Sequence, residues 1–359
     1  MESVLEHLKD LGFGQWFQEK FDSEKFNGFQ IARVIGVYKD RYMIQNENKD
    51  MPAEISGKLM FGADSPLDYP TVGDWVYVRY LDEDSFAVIH DIYPRKSVLK
   101  RKTPGKQIEF QLIAANIDTA FIMQSLDVDY NLRRLERYLV MIHESQIHPV
   151  VLLSKIDLIS PTELKKKISD MKSFMQEIQI IAFSNVSGSG LNQIKRILKS
   201  GQTYCLLGSS GVGKTTLLNH LLDRPLFETR TVREKDGKGR HTTNVRQLIH
   251  LKNGAMVIDT PGMRELGHMD VETGLSETFN EIAELSKQCR FKDCSHIQEK
   301  DCAVLAAVQN GTLSEERYRN YIKLRKESDY YKMSYLEKRK KERRFGKLVK
   351  SVMKHHIKK

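Results

Sequence analysis

Gly208-Ser209-Ser210-Gly211-Val212-Gly213-Lys214-Thr215 follows the apolar run Thr203 to Leu207 and opens into Thr216-Leu217-Leu218-Asn219-His220, where apolar spacing turns helical. This is G-x-x-x-x-G-K-[ST] in the strand-then-helix frame that the pattern needs. Glycines let the backbone wrap a phosphate so that successive N–H groups and a helix N-terminus point at it. Lys214 adds a mobile positive charge and Thr215 a hydroxyl for a magnesium ion. Cys205, inside the apolar run, reads as a small buried hydrophobe.

The flanks carry the same rhythm. Thr119 to Met123 reads as a buried strand, Leu132 to Glu144 as a helix, His148 to Leu153 and Ile178 to Phe183 as strands, and Ala255 to Ile258 as another, with a hairpin partner at Gln247 to Leu251 turned by Asn253-Gly254. Alternating strands and helices predict an α/β domain with a mostly parallel sheet. About fifty residues after the phosphate loop comes Asp259-Thr260-Pro261-Gly262. A carboxylate on a neighbouring strand end can hold the magnesium shell, and a glycine N–H can face a γ-phosphate.

Ser154-Lys155-Ile156-Asp157 resembles the guanine-reading N-K-x-D motif. An Asp side chain accepts from guanine N1–H and N2–H₂, a donor pair that adenine lacks, while the Lys stem lies over the base. Ser184-Asn185-Val186 resembles the S-A-x element whose backbone N–H meets the base. Ser154 in place of Asn is shorter and predicts fewer hydrogen bonds to neighbouring loops. Both base-reading elements precede the phosphate loop, so the order is circularly permuted. Closely spaced ends make such a cut compatible with the same site.

Outside this domain the patterns change. Residues 1–27 read as one amphipathic helical lead-in (Leu5, Leu8, Leu11, Trp16-Phe17) packed against the next segment of chain. Ile31 to Val37, Tyr42 to Ile44, Ile55 to Phe61, Trp75 to Tyr80 and Phe86 to Ile92 read as five short strands, which suit a small OB-type (oligonucleotide-binding) β-barrel, although an SH3-like barrel would give a similar pattern. A basic exit comes next at Arg95-Lys96, Lys100-Arg101-Lys102 and Lys106. Cys289-x₄-Cys294-x-His296-x₅-Cys302 offers three thiolates and an imidazole, the donor set of a closed, structural zinc site in an α-helical module too small for a core of its own.

The 359 residues, 40% apolar and 29% charged, predict a globular chain of several modules. These divide as a lead-in at 1–27, a barrel at 28–100, the permuted domain at 101–265, a zinc domain at 266–320 and a basic helical tail at 321–359. The tail holds fifteen Lys/Arg against four Asp/Glu, which accounts for the whole net charge of +10. A one-sided surplus of that density predicts a polyanionic partner, nucleic acid first, with a solvated helix face as the other reading. No apolar run is long enough to span a membrane, and Met1-Glu2-Ser3-Val4-Leu5-Glu6 has no basic-then-apolar leader, so the expected location is cytoplasmic. Four cysteines, three of them clustered, argue against a disulfide-stapled secreted fold.

The permuted order, Val72-Gly73-Asp74-Trp75, Gly237-Lys238-Gly239-Arg240-His241-Thr242-Thr243 and the Cys/His cluster together resemble the ribosome small subunit-dependent GTPase A family, RsgA, also called YjeQ, over roughly residues 28 to 305. The resemblance implies an OB domain, a permuted GTPase domain and a zinc domain clasping the small ribosomal subunit and its rRNA late in assembly. The sequence departs from the family pattern at Ser154, at Asn244 where a third Thr is usual, and in its long tail.

Thr229 to Asn244 lacks apolar periodicity and fits a first switch loop, in which Thr243, or less favourably Thr242, closes on magnesium. Met263 follows Gly262, so the Gln that commonly orients the attacking water is missing. His241 is the in-chain candidate, and the family carries His beside its switch threonines; contact with RNA is the other reading. Two further classes fit parts of the sequence: a phosphate-loop ATPase or kinase in which Ser154 to Asp157 is coincidental, and a nucleic-acid-binding module whose nucleotide is structural. A monomer is the default expectation.

Overall fold

The computed structural model describes residues 8–22, 24, 28–38, 41–81, 85–102, 110–175, 177–222, 246–259 and 271–333. It divides into two compact units, 1–266 and 267–359.

The first unit begins with turns from Leu8 and a single-turn helix α1 (Gln15–Gln18). Gly12 and Gly14 interrupt the helical pattern that the apolar spacing suggests over residues 1–27, because glycine is a poor helix former. Among the described residues the lead-in is therefore mostly turn. Its apolar side chains do pack as expected: Leu8, Leu11, Phe13 and Phe17 are buried with Ile31, Trp75, Tyr77 and Tyr93. Phe13 meets Trp75 edge-on at 4.9 Å, and the Tyr93 hydroxyl donates to the Phe17 carbonyl at 2.7 Å.

Strands β1 (Gln30–Val37), β2 (Tyr42–Gln45), β3 (Asp50–Ile55), β4 (Trp75–Leu81) and β5 (Phe86–Ile92) pair in the order β1-β2-β3-β5-β4 and close through β4 and β1 into the expected barrel. Ala32, Val34, Ile44, Met51, Val76, Val78 and Ile89 fill it. One strand differs from the sequence reading. The third strand ends at Ile55 instead of starting there, and Gly57–Phe61 is helix α2, capped by Ser56, whose hydroxyl accepts from the Leu59 N–H. Pro52 hides the true strand, since proline cannot donate to a ladder.

Arg95, first of the anticipated basic exit, is spent internally. It forms two 2.8 Å hydrogen bonds to the buried Asp74 carboxylate and donates to the Leu67 and Tyr69 carbonyls. Beyond it, β6 (Val98–Lys102) and β7 (Phe110–Ala115) form a two-stranded hairpin that the sequence pattern does not announce.

Then come β8 (Thr119–Ser125), α3 (Leu132–Glu144), β9 (His148–Ser154), α4 (Pro161–Lys172), β10 (Gln179–Ala182), α5 (Leu191–Ile197), β11 (Thr203–Leu207), α6 (Lys214–Leu222), β12 (Arg246–His250) and β13 (Met256–Asp259). The order β10-β9-β8-β11-β13 is parallel throughout. Side-chain alternation sorts the core into two layers. Ile122, Val151, Leu153, Cys205 and Ile258 pack with Leu135, Leu139 and Ile142 of α3 and Met171 of α4. Phe121, Val150, Leu152, Leu206 and Val257 pack with Leu191 and Ile194 of α5 and Leu217 and Leu218 of α6.

β12 closes the domain as an antiparallel partner of β13 and pairs on its other edge with β1, so one eleven-stranded sheet runs through both domain and barrel. Arg33 of β1 reinforces that seam. Its wholly buried guanidinium donates to Thr203 Oγ1 at 2.7 Å and to the Leu11 carbonyl, and lies over the Trp75 ring.

The second unit contains α7 (Glu272–Thr278), α8 (Asn280–Ser286), α9 (Ala303–Gln309) and α10 (Glu315–Lys332). Phe279, Ile282, Val304, Ala307, Leu313 and Leu324 are buried in it. Arg317 of α10 pairs with Glu281 and stacks over Phe279 with 4.6 Å to the ring centre. Tail residues 334–359 lie outside the described residues.

Candidate functional site

Because β8, β9, β10, β11 and β13 are parallel, their carboxyl ends, at Ser125, Ser154, Ala182, Leu207 and Asp259, share one edge of the sheet. Successive strands are added outward from β8 on one side and from β11 on the other, and at such a switch point between β8 and β11 an open α/β sheet leaves its ligand crevice. Gly208 to Gly213 comes directly after β11 at that point.

The phosphate loop is held by close backbone approaches. Gly208 has φ 145°, and a Cβ there would lie 2.5 Å from the Met123 carbonyl of β8. Gly213 has φ 97°, and its Cβ would lie 2.5 Å from the Asn185 amide nitrogen. The backbone contact excludes a side chain at Gly208, and the positive φ disfavours one at Gly213, where the close atom belongs to a side chain that can shift. Val212 is buried, whereas Ser210 and Gly211 are exposed on the rim. Lys214 opens α6 and its ammonium donates to the Gly208 and Ser209 carbonyls, each at 2.8 Å. Thr215 is exposed and Thr216 half-buried in the first turn.

The two loops expected to read the base bond to this loop. The fully buried Ser154 hydroxyl donates to the Val212 carbonyl at 2.8 Å, so the shorter side chain still reaches the phosphate loop. Asn185 Nδ2 donates to the Gly213 carbonyl at 3.1 Å, adding a second tie that an Ala at this position would lack. The loops also bond to each other. Ser184 Oγ donates to the exposed Asp157 carboxylate while accepting from the Val186 and Ser187 N–H groups at 3.1 Å, and the Ile156 N–H reaches the Phe183 carbonyl. Asp259, at the end of β13, pairs in register with Leu206 of β11. Residues 223–245 and 260–270, including His241, Thr242, Thr243 and Gly262, lie outside the described residues.

A third loop, marked by no motif in the sequence, meets both ends of the crevice. After β8, Asp127 Oδ2 accepts from the Lys155 ammonium at 2.6 Å, and Asp129 accepts from the Ser209 hydroxyl. Burial alone would raise the Asp127 pKa, but the Lys155 ammonium, the Ser125 hydroxyl and the Asp129 N–H outweigh it and hold the carboxyl down at about 2. The local signal is no more than an Asp-x-Asp after a strand whose apolar run stops two residues short of its true end.

In the second unit, Cys289, Cys294, His296 and Cys302 bring their ligand atoms within 4.8 Å of one another. Cys289 Sγ lies 3.8 Å from Cys302 Sγ and 3.6 Å from His296 Nδ1, which is 3.4 Å from Cys302 Sγ. A tetrahedron with Zn–S bonds of about 2.3 Å has edges of about 3.8 Å, so the donor set fits zinc in chemistry and spacing. His296 Nε2 contacts Ser286 Oγ at 3.0 Å, which donates in turn to the Ile282 carbonyl; this outer contact leaves Nδ1 as the ligand atom. Burial pushes the His296 pKa down, and it would raise that of Cys289 were it not overcome by backbone N–H groups of Val304 and Ala303 at the start of α9. These two shifts favour the forms that bind metal, whereas burial pushes the Cys294 thiol up to about 11. Burial drives the Cys205 thiol far up, in keeping with an inert core residue.

Residues 92–269 match the family described as RsgA GTPase. Over 328 residues the chain is 44% identical to the small ribosomal subunit biogenesis GTPase RsgA 2 of Lactiplantibacillus plantarum, covering 90% of this chain and 91% of that protein. It is 38% identical over 355 residues to the RsgA 2 of Vibrio parahaemolyticus, covering 98% and 94%. The crystal structure of YjeQ from Thermotoga maritima superposes with a TM-score of 0.62 at 26% identity, covering 82% of this chain and 97% of that one. YloQ, described as a circularly permuted GTPase, gives 0.61 at 23%, covering 86% and 97%, and supports the fold.

Proposed function

The chain belongs to the RsgA GTPase family and is a GTP hydrolase, and on that premise we propose that it acts in ribosome biogenesis as a late assembly factor that binds the small ribosomal subunit and its rRNA, with hydrolysis stimulated by the subunit. The observation that carries the nucleotide assignment is the pair of hydrogen bonds from Ser154 and Asn185 to the carbonyls of Val212 and Gly213. They fasten the base-reading loops to the phosphate loop, which one bound nucleotide requires.

In this reading Asp157 reads the guanine edge, Lys155 covers its face, and Ser184 and Asn185 shape the loop whose backbone meets the base. The backbone from Gly208 to Gly213 and the start of α6 cradle the phosphates, with Lys214 neutralising charge that develops on them in the transition state. Thr215, Thr243 and Asp259 would hold magnesium, which would supply positive charge against the phosphate oxygens. Gly262 senses the γ-phosphate, and His241 accepts a hydrogen bond from the attacking water. The Cys289, Cys294, His296 and Cys302 set holds one structural zinc.

The five-part organisation read from the sequence serves this role, the barrel and the basic tail supplying RNA contacts. The protein works as a cytoplasmic monomer that docks once per particle. Among the described residues no helix is long and apolar enough to cross a membrane.

GTP turnover measured alone and with purified small subunits, large subunits or free RNA tests the proposal. Slow intrinsic turnover with stimulation by small subunits alone is expected; equal rates in all four conditions would reject it. For His241→Ala, normal GTP binding with lost stimulation is expected, and full stimulation would remove the residue from the mechanism.

A further inference from the structure

The loop after β8, residues 126–130, supplies the other wall of the crevice between β8 and β11, and its two carboxylates point to opposite ends of the site. Asp127 takes Lys155 at the base end and Asp129 takes Ser209 in the phosphate loop. The loop is braced on both sides. Asp127 Oδ1 accepts from the Ser125 hydroxyl at 2.7 Å and from the Asp129 N–H at 3.0 Å. Arg134, in the first turn of α3, donates to both Asp129 carboxylate oxygens at 2.9 and 2.7 Å, and Gln124 Nε2 donates to the Asp129 carbonyl at 2.9 Å.

We propose that Asp127 is a positioning residue of the guanine site, which fixes Lys155 over the base and, through Asp129, ties that setting to the phosphate loop. The proposal rests on Lys155 belonging to the base-reading element. Lys155 needs such a partner. A lysine stem loses much rotamer freedom when fixed in one place, and the residue sits in the left-handed backbone region at φ 62°. With Asp127 and Lys155 side chains 21% and 30% exposed, their ion pair is shielded enough to hold the stem before nucleotide arrives. The two oxygens of Asp127 divide the work: Oδ1 shapes the loop and Oδ2 holds Lys155.

That division makes Asp127→Asn the informative variant, because an Asn can keep the Oδ1 bonds while its NH₂ replaces the anion facing Lys155. Fluorescent GDP binding and GTP turnover would be measured for wild type, Asp127→Asn, Lys155→Met and the double variant. The expectation is a loss of GDP affinity of about fivefold in Asp127→Asn, a matching rise in KM with kcat within about twofold, and no further loss when Asp127→Asn is added to Lys155→Met. Unchanged affinity in Asp127→Asn, or losses that multiply in the double variant, would overturn the proposal while leaving guanine recognition intact. Were wild type itself to bind ADP as tightly as GDP, the guanine reading would fail instead. Asp127→Glu, which keeps the anion, should recover part of the affinity; recovery of none would also count against the role.

Discussion

Ser154 Oγ and the Val212 carbonyl, 58 positions apart in the chain, share a buried 2.8 Å hydrogen bond. It joins the loop expected to read the base to the loop expected to hold the phosphates. Removing the hydroxyl leaves a buried carbonyl without this partner, at about 1–3 kcal/mol. Ser154→Ala should therefore weaken GDP binding by about tenfold, and Asn185→Ala by less, since Asn185 is only partly buried. Titration of each variant with fluorescent GDP checks the order.

Base selection should follow the Asp157 carboxylate. Asp157→Asn replaces an acceptor pair with one acceptor and one donor, which suits xanthine, where a carbonyl stands in place of the guanine 2-amino group. Competition between GTP and XTP should shift at least tenfold toward XTP, about 1.4 kcal/mol. An unchanged preference would separate Asp157 from the base.

Zinc should accompany the second unit in about one equivalent, measured by elemental analysis of protein purified without added metal. Cys302→Ser deletes a buried thiol and its contacts with Cys289 and His296. The expected result is loss of metal and of the helical signal from this unit, with GDP binding by the first unit retained. Binding of structural zinc is worth about 10–16 kcal/mol, far more than so small a core supplies. Folding unaltered by chelation would contradict the assignment.

Acid sensitivity of the first unit should owe part of its slope to His143 in the last turn of α3. Burial, and secondarily His148, lower its pKa from 6.5 to about 4. The neutral ring therefore contributes its full stability above pH 6.5. As pH falls from there toward 4 the unfolded chain takes up a proton first and that stability is lost. The loss is at most about 3 kcal/mol, and less for a side chain still partly in water. Urea unfolding at pH 7 and pH 5 should show a larger drop for wild type than for His143→Gln; parallel drops would exclude it.

Legibility in the sequence depends on how local each signal is. The bounds of β11 and α3 can be read because an apolar run and a helical period announce them, and α3 carries its own cap at Asn131. The Cys/His spacing is similarly self-contained. β3 is misplaced by the sequence pattern because Pro52 masks it and because Ser56 looks no more like a helix cap than like a turn residue. The pairing of β12 with β1, and the contacts of Asp127 and Asp129 with Lys155 and Ser209, join residues 28 to more than 200 positions apart. No local period records such contacts; they exist only once the sheet has put the loops side by side.

The central claim is that Asp157 and Lys214 serve opposite ends of one guanine nucleotide. Its most direct test is a crystal structure with a nonhydrolysable GTP analogue. The expected density has the Asp157 carboxylate within hydrogen-bond reach of guanine N1 and N2, and the Lys214 ammonium moved from the Gly208 and Ser209 carbonyls onto the β- and γ-phosphates. An analogue bound with either side chain in a separate cavity would contradict it.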